Sequence, residues 1–183
     1  MQRDNNIVNS VEIVNVPPAK HDEVFDEVDV PSGVSELDKK DIQQLFQGRN
    51  LAFVSTLSED GSPHITPMWA DMEGDLILIN TFETSVKSEN ITKDPRIAIS
   101  VVENNNPYNM VSIKGRVIEH TTEGADEHLK KLAKRYLGIG KYYYRKPNRR
   151  RVILKIKPEK AIGLSIHPAF YFLAYSPWNR HKL

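Results

Sequence analysis

The chain has 183 residues, 39% hydrophobic and 27% charged, which is ordinary for a globular protein and sufficient for one domain with a sizeable core. No apolar run approaches the roughly 20 residues needed to span a bilayer, and no secretory signal follows the N-terminus. The absence of cysteine excludes disulfides, thiolate catalysis and cysteine metal sites, and the composition as a whole favours a cytoplasmic protein.

The net charge of +1 is unevenly distributed along the chain. Residues 1–36 contain two basic and eight acidic residues, whereas the remainder contains 23 basic and 16 acidic ones. We predict that residues 1–36 form an acidic N-terminal extension, in which the run from Val11 to Val16 is a candidate edge strand. The extension is expected either to pack across a partner subunit or to be a flexible tail. The basic remainder favours an anionic partner, which could be a phosphorylated cofactor, a nucleic acid or this acidic extension.

The first predicted elements after the extension are a helix and two strands. The helix runs from Asp38 to Phe46, because Asp38 can cap it and Gly48 can end it. Residues Asn50 to Leu57 alternate as in a half-buried strand, and after a hairpin turn a second strand is predicted from His64 to Ala70.

Prolines give the second strand a particular meaning. Pro63 and Pro67 have no N–H group, so this strand is not expected to be a fully paired interior strand of a sheet. Its free backbone groups leave a side against which a ligand can lie. We interpret His64, beside these prolines, as a rim residue rather than a proton donor.

A strand from Leu76 to Asn80 is predicted next, joined to the preceding strand by a tight turn, and a helix from Ser85 to Lys93 follows. The first turn of a helix offers unpaired N–H groups and the positive end of the helix dipole. Hydroxyl groups and Lys87 at this turn therefore predict a small anion site. The alternative is that Thr84 is an ordinary N-cap and Lys87 a solvated surface lysine.

The remaining elements complete a predominantly β chain. In chain order they are a strand from Arg96 to Glu103, a strand from Tyr108 to His120, a helix from Glu123 to Leu137 and a strand from Val152 to Ile156. Gly115 predicts a bulge inside its strand, and Pro158 is expected to end the last one. The helix is expected to turn these residues inward: Leu129, Leu132, Ala133, Tyr136 and Leu137. About six antiparallel strands joined mostly by tight turns favour a closed or split barrel.

Four sequence strings together carry a family resemblance. They are D-G-S-P-H-I-T-P-M-W from Asp60 to Trp69, I-L-I-N-T from Ile77 to Thr81, S-V-K-x-x-N-I-x-x-D-P-R from Ser85 to Arg96 and K-G-R-V from Lys114 to Val117. The set resembles the pyridoxamine-phosphate-oxidase-like split-barrel flavoproteins, and within them the branch that uses the deazaflavin coenzyme F420. The resemblance implies a homodimeric split β-barrel over residues 37–164, with two cofactors at the subunit interface.

The resemblance also implies a set of cofactor-binding residues. They are Thr66, Pro67, Met68 and Trp69 along the ring and its side chain, Asn80 and Thr81 at the polyol or ring edge, and Ser85, Val86, Lys87 and Asn90 at the phosphate. Met68 and Trp69 offer a polarizable and an aromatic surface, although such residues are more commonly part of a core. No catalytic acid or base is assigned, because the cofactor itself carries the chemistry.

The implied function is an F420-dependent oxidoreductase that transfers a hydride between the cofactor and a small substrate. The F420 branch is preferred because Val86 stands where the flavin-phosphate oxidases usually have an arginine. The alternatives are an FMN-binding oxidase or reductase and a non-catalytic flavin-binding protein. A nucleic-acid-binding protein is a distant alternative, and no histidine pattern predicts a metal site.

Two segments outside the barrel strands have their own predictions. The basic segment from Gly140 to Arg151 is interpreted first as a solvated loop, second as a rim beside the anionic tail of the deazaflavin, and third as a nucleic-acid groove. Residues 165–183 are rich in aromatic side chains, which are rarely left in water. We therefore expect this C-terminal tail to pack on the barrel or on the partner subunit.

Overall fold

The computed structural model describes residues 34–139 and 149–166. Its elements are β1 (Val34–Glu36), α1 (Lys39–Gln47), β2 (Ala52–Leu57), β3 (Pro63–Met68), β4 (Ala70–Glu73), β5 (Leu76–Phe82), α2 (Val86–Lys93), β6 (Arg96–Val102), β7 (Asn109–Thr121), α3 (Ala125–Leu137) and β8 (Arg151–Ile166). Most of the predicted extension and tail, and most of the basic segment, lie outside the described residues. Over the two described ranges, none of the helices combines the length and the apolar character needed to cross a membrane.

The strands of the described residues form one eight-stranded sheet, in the order β3-β2-β6-β7-β8-β5-β4 with β1 beside β8. All pairings are antiparallel. Strands β3 and β4 lie at opposite ends of this order, although Trp69 alone separates them along the chain. Since one residue spans only about 3.5 Å, the sheet curls until its two edges meet. This confirms the predicted antiparallel split-barrel fold.

The split in the barrel lies between β3 and the second half of β5. Strand β4 pairs with residues 76–79 of β5, so Asn80, Thr81 and Phe82 have β8 on one side and no described strand on the other. Strand β3 pairs with β2 alone among the described strands. Its prolines therefore stand in an edge strand, as predicted.

Two predicted strand boundaries are wrong. The single strand from His64 to Ala70 breaks at Trp69, because its two parts belong to opposite edges of the sheet. The last strand, β8, continues through Pro158 instead of ending there. Pro158 lies opposite Gly115, where the register between β7 and β8 shifts, so its missing N–H interrupts no regular pairing.

The register shift confirms the bulge predicted at Gly115 and shows why a glycine stands there. A Cβ atom at this position would lie 2.7 Å from the carbonyl oxygen of Lys157. The backbones of β7 and β8 approach each other too closely at the bulge for any larger residue. The chain can therefore bend both strands at this point and close the barrel.

The barrel interior is apolar and is filled from alternate residues of its strands. The fully buried residues here include Ala52, Val54, Ile77, Ile79, Ile99, Val101, Val111, Leu154 and Ile156. Helix α1 contributes Leu45 and Phe46 to this core. Asp38 caps α1 in a capping box with Asp41, and Gly48 ends the helix, which confirms both predicted boundaries.

Helix α3 covers the outer face of the sheet and forms a second, smaller core there. Leu78 of β5, Ile153 of β8 and Ala125 of the helix form that core. The side-chain amide of Asn80 donates to the carbonyl oxygen of Ala125 at 2.7 Å. Leu137 is 52% exposed, so its predicted inward orientation is wrong.

Candidate functional site

The N-terminus of α2 is joined to the end of β5 by hydroxyl groups. Ser85, and not Thr84, is the N-cap, and its Oγ accepts a hydrogen bond from the Ser88 backbone N–H at 3.2 Å. The Oγ atoms of Ser85 and Thr81 lie 3.1 Å apart. The Ser88 hydroxyl donates to the carbonyl oxygen of Phe82 at 2.9 Å. These bonds place the first turn of α2 at the edge of β5 that faces the split.

Lys87 is the charged group of this site, and it is buried. The residue is 6% exposed, and its Nζ donates to the hydroxyl of Thr66 on β3 at 2.8 Å. Within residues 34–139 and 149–166 no carboxylate forms an ion pair with it, and burial lowers the pKa of Lys87. The interpretation of Lys87 as a solvated surface lysine is wrong. A buried ammonium without a counter-charge is costly, so the site favours an anion.

The predicted phosphate residues are only partly brought together. Thr66, Thr81, Ser85 and Lys87 surround the end of the split and supply three hydroxyl groups and one cation, a set that suits a phosphate. The Ser85 hydroxyl donates to Ser88 Oγ at 3.2 Å. Val86 is 51% exposed. The Asn90 side chain instead donates to the buried hydroxyl of Thr56 in the barrel interior at 3.0 Å.

A cleft of about 300 Å³ lies on the outer side of the split. It is lined by Leu51, Pro67, Met68, Trp69, Asn80, Leu129, Leu132 and Arg151. Three consecutive predicted ring residues from the end of β3 therefore share one cleft with the predicted polyol residue of β5. Most of the lining is apolar, and its polar groups are on the β5 and β8 side.

Residues from α3 and β8 that line the cleft were not predicted as site residues. Leu129 and Leu132 were identified only as the apolar face of a helix. Arg151 was assigned to the basic segment, and its guanidinium lies 3.9 Å from the centroid of the Phe82 ring and donates to Asn80 Oδ1 at 3.3 Å. The helical periodicity gave the orientation of the leucines but not the surface against which they pack.

A buried charge cluster under α3 is a further feature that sequence reasoning missed. Asp71 of β4 is 1% exposed, and its carboxylate lies 2.7 Å from Arg135, 2.5 Å from Lys131 and 3.6 Å from His128. Burial alone would raise the pKa of Asp71, but the three basic side chains outweigh it and hold the pKa well below its usual range. The cluster fixes α3 on the sheet beside the cleft.

These features define the class of protein as a split-barrel protein with an anion site that adjoins an apolar cleft. A family model described as pyridoxamine 5'-phosphate oxidase matches residues 38–165, so the chain belongs to that family. The matched range contains the anion site, the cleft and the whole of α3. This confirms the family resemblance, and the family accommodates flavin-type cofactors.

Solved structures with the same fold include an F420 reductase, with 24% identity and a TM-score of 0.58 over 65% of this chain and 94% of the other. A putative pyridoxamine 5'-phosphate oxidase from Listeria innocua has 16% identity and a TM-score of 0.53, over 67% and 95% of the two chains. An FAD-binding protein from Mesorhizobium loti has 15% identity and a TM-score of 0.54, over 72% and 96%. At these identities the likeness shows the fold alone. A search of curated proteins gave no match.

Proposed function

We propose that this protein is an F420-dependent oxidoreductase that transfers a hydride between the bound deazaflavin and a small substrate. The observation that carries the proposal is the buried ammonium of Lys87, which has no described counter-charge. A phosphate group would supply that charge, and the hydroxyls of Thr66, Thr81 and Ser85 can rotate to donate to it. The helix dipole at the start of α2 favours the same anion.

The cleft beside the anion site supports the second part of the proposal. The cleft has apolar sides formed by Met68, Trp69, Leu129 and Leu132. Transfer of a planar aromatic ring from water into such a cleft costs little free energy. When bound, the deazaflavin would itself accept or donate the hydride. The protein orients the ring, excludes water and holds the phosphate, so the assignment requires no catalytic acid or base.

FMN is the second candidate, because it combines a phosphate with a planar ring and would satisfy the same groups. The side chain of Val86 distinguishes the two. It occupies the first position of α2 and is 51% exposed, so it supplies no additional cation there. By the family resemblance, the flavin-phosphate oxidases usually have an arginine at this position, and its absence favours F420. A non-catalytic binding protein would have the same site and would lack turnover.

Titration of the purified protein with F420 and, separately, with FMN tests this assignment. We expect saturable quenching of F420 fluorescence. F420 should bind more tightly than FMN, because the site lacks the additional cation. Tighter binding of FMN would transfer the protein to the flavin-dependent members of the family. Binding of neither cofactor would refute the proposal. A steep salt dependence of oligonucleotide binding would then support the nucleic-acid alternative.

We also propose that the protein is a homodimer, because the outer face of β2, β3 and β8 carries exposed apolar side chains. Phe53, Ile65, Ile162 and Leu164 are 41%, 61%, 57% and 37% exposed. Between them, small residues of β2, β6 and β7 occupy neighbouring register positions: Ser55, Ala98, Ser100 and Ser112. Such a face is shallow enough for a second copy to approach closely.

The double variant Phe53→Glu/Ile65→Glu is expected to be monomeric in analytical ultracentrifugation, since it places four like charges in the proposed dimer interface. Ile118→Glu is the matched control, because Ile118 is 54% exposed and lies at the register shift of β7, six residues along the strand from Ser112. The control should remain dimeric. A monomeric wild-type protein, or a double variant that still dimerises, would show that this face is not the interface.

A further inference from the structure

Tyr136 of α3 stacks on Trp69, the residue between β3 and β4. The ring centroids are 5.2 Å apart and the ring planes differ by 13°. Trp69 also lines the cleft, so the stack connects α3 directly with the cleft surface. Parallel aromatic rings at this distance attract each other beyond their hydrophobic burial. The orientation of the indole therefore depends on the position of Tyr136.

Hydrogen bonds fix Tyr136 at its other end. Its hydroxyl donates to the carbonyl oxygen of Asn50 at 2.7 Å and lies 3.3 Å from the carbonyl oxygen of Ala70. The backbone N–H of Ala70 donates to the same hydroxyl at 3.4 Å. Burial raises the pKa of Tyr136, which keeps the hydroxyl protonated as a donor. The residue thus joins the start of β2 to the start of β4.

Arg135 reinforces this arrangement from the preceding position of α3. Its Nη1 donates to the carbonyl oxygens of Phe46 at 3.1 Å and Ala70 at 3.3 Å, and its Nη2 donates to Asp71 at 2.7 Å. Two consecutive residues of the helix, Arg135 and Tyr136, therefore bind the two residues that follow Trp69, which are Ala70 and Asp71. These bonds leave α3 little freedom to move relative to the segment at Trp69 that crosses from one edge of the sheet to the other.

We propose that Tyr136 is a positioning residue that fixes the Trp69 indole as one side of the cleft and thereby sets the affinity for a planar ring. The inference rests on the proposed function, in that the cleft receives the ring of a flavin or deazaflavin. The phosphate end depends on Lys87 and not on α3. Loss of the stack should therefore weaken ring binding and leave phosphate binding unchanged.

A ligand-free measurement tests the positioning itself. The chain has two tryptophans, so the Trp178→Phe background leaves Trp69 as the one fluorescent indole. In this background, Tyr136→Leu should make Trp69 more accessible to quenching by acrylamide. Tyr136→Phe keeps the ring but loses the hydroxyl, and should give an intermediate result. Unchanged quenching in the folded Tyr136→Leu variant would overturn the inference.

A second measurement separates the ring from the phosphate. Riboflavin and FMN differ by the phosphate, and the deazaflavin chromophore without phosphate and tail forms the same kind of pair with F420. For the pair that the wild type binds, Tyr136→Leu should weaken both members by the same factor, about tenfold. The inhibition constant of inorganic phosphate against the phosphorylated member should not change. An equal loss of affinity for inorganic phosphate, or no loss of affinity for either member of the pair, would contradict the proposal.

Two further outcomes are decisive. If Tyr136→Leu does not fold, Tyr136→Phe takes its place, with an expected loss of ring affinity of about twofold to threefold at unchanged phosphate competition. No loss in that variant would overturn the inference. If the wild type binds none of the four compounds, the proposed function fails, and the acrylamide measurement still decides whether Tyr136 positions Trp69.

Discussion

Replacing Lys87 by methionine is expected to weaken binding of the phosphorylated cofactor by about 1.5–3 kcal/mol, roughly tenfold to a hundredfold, and to stabilise the ligand-free protein. The affinity falls because Lys87 is the buried cation of the anion site. The stability rises because methionine fills nearly the same space without the cost of burying an ammonium. Fluorescence titration and thermal unfolding of the ligand-free protein measure the two effects.

Lys93→Met is the matched control, because Lys93 lies on the same helix but is exposed and pairs with Glu59. This variant should bind the cofactor like the wild type. Unchanged affinity in Lys87→Met, or an equal loss in Lys93→Met, would remove the main support for the anion site. A large loss of stability in Lys87→Met would show instead that the ammonium has a structural role.

The pH dependence of binding follows from the same residue. Burial lowers the pKa of Lys87, so the folded protein releases this proton at a lower pH than the unfolded chain. The phosphate affinity should decrease as the pH rises through the lowered pKa, and Lys87→Met should lack that decrease. Between the lowered pKa of the folded protein and the ordinary pKa of the unfolded chain, the unfolded chain binds more protons than the folded protein. The stability of the ligand-free protein should therefore rise with pH over this interval.

Replacing Asp71 by asparagine is expected to lower the free energy of unfolding by about 3–5 kcal/mol, the largest stability effect that we predict. Asparagine keeps the shape but leaves the guanidinium of Arg135, which is 18% exposed at its side chain, without its counter-charge. Lys131 is 58% exposed and can turn to solvent, so the loss of its ion pair with Asp71 contributes less to the destabilisation. Chemical denaturation of the ligand-free protein measures the change.

Glu59→Gln is the control for Asp71→Asn, because it also removes one carboxylate from an ion pair, but at the surface. It should leave stability unchanged within error. The lowered pKa of Asp71 makes a second test possible. Its contribution is present above the ordinary value of 3.8 and is lost as the pH falls through the lowered pKa. Asp71→Asn should therefore flatten the acid side of the stability profile, and an unchanged profile would contradict the assigned role.

Sequence patterns predicted part of the anion site but none of the charge cluster beside the cleft. Ser85 and Lys87 are close in sequence at a helix start, and helix-capping rules are local, so the pattern predicted an anion site there. Thr66 contacts Lys87 from β3, which is distant from α2 in sequence, and the family resemblance, not the spacing, suggested Thr66 as a site residue. Asp71 and its basic partners gave no signal, because they lie about 60 residues apart and meet only when α3 packs on β4.

The sequence by itself determined the features that depend on neighbouring residues: the capped helix that starts after Asp38, the bulge at Gly115 and the edge strand that contains Pro63 and Pro67. Each follows from backbone conformations and hydrogen-bonding groups that a residue type allows or removes. Tertiary structure alone decided that the chain changes edges at Trp69, that β8 continues past Pro158 and that Lys87 is buried. These outcomes depend on barrel closure, which brings together strands distant in sequence, and local preferences carry no information about that closure.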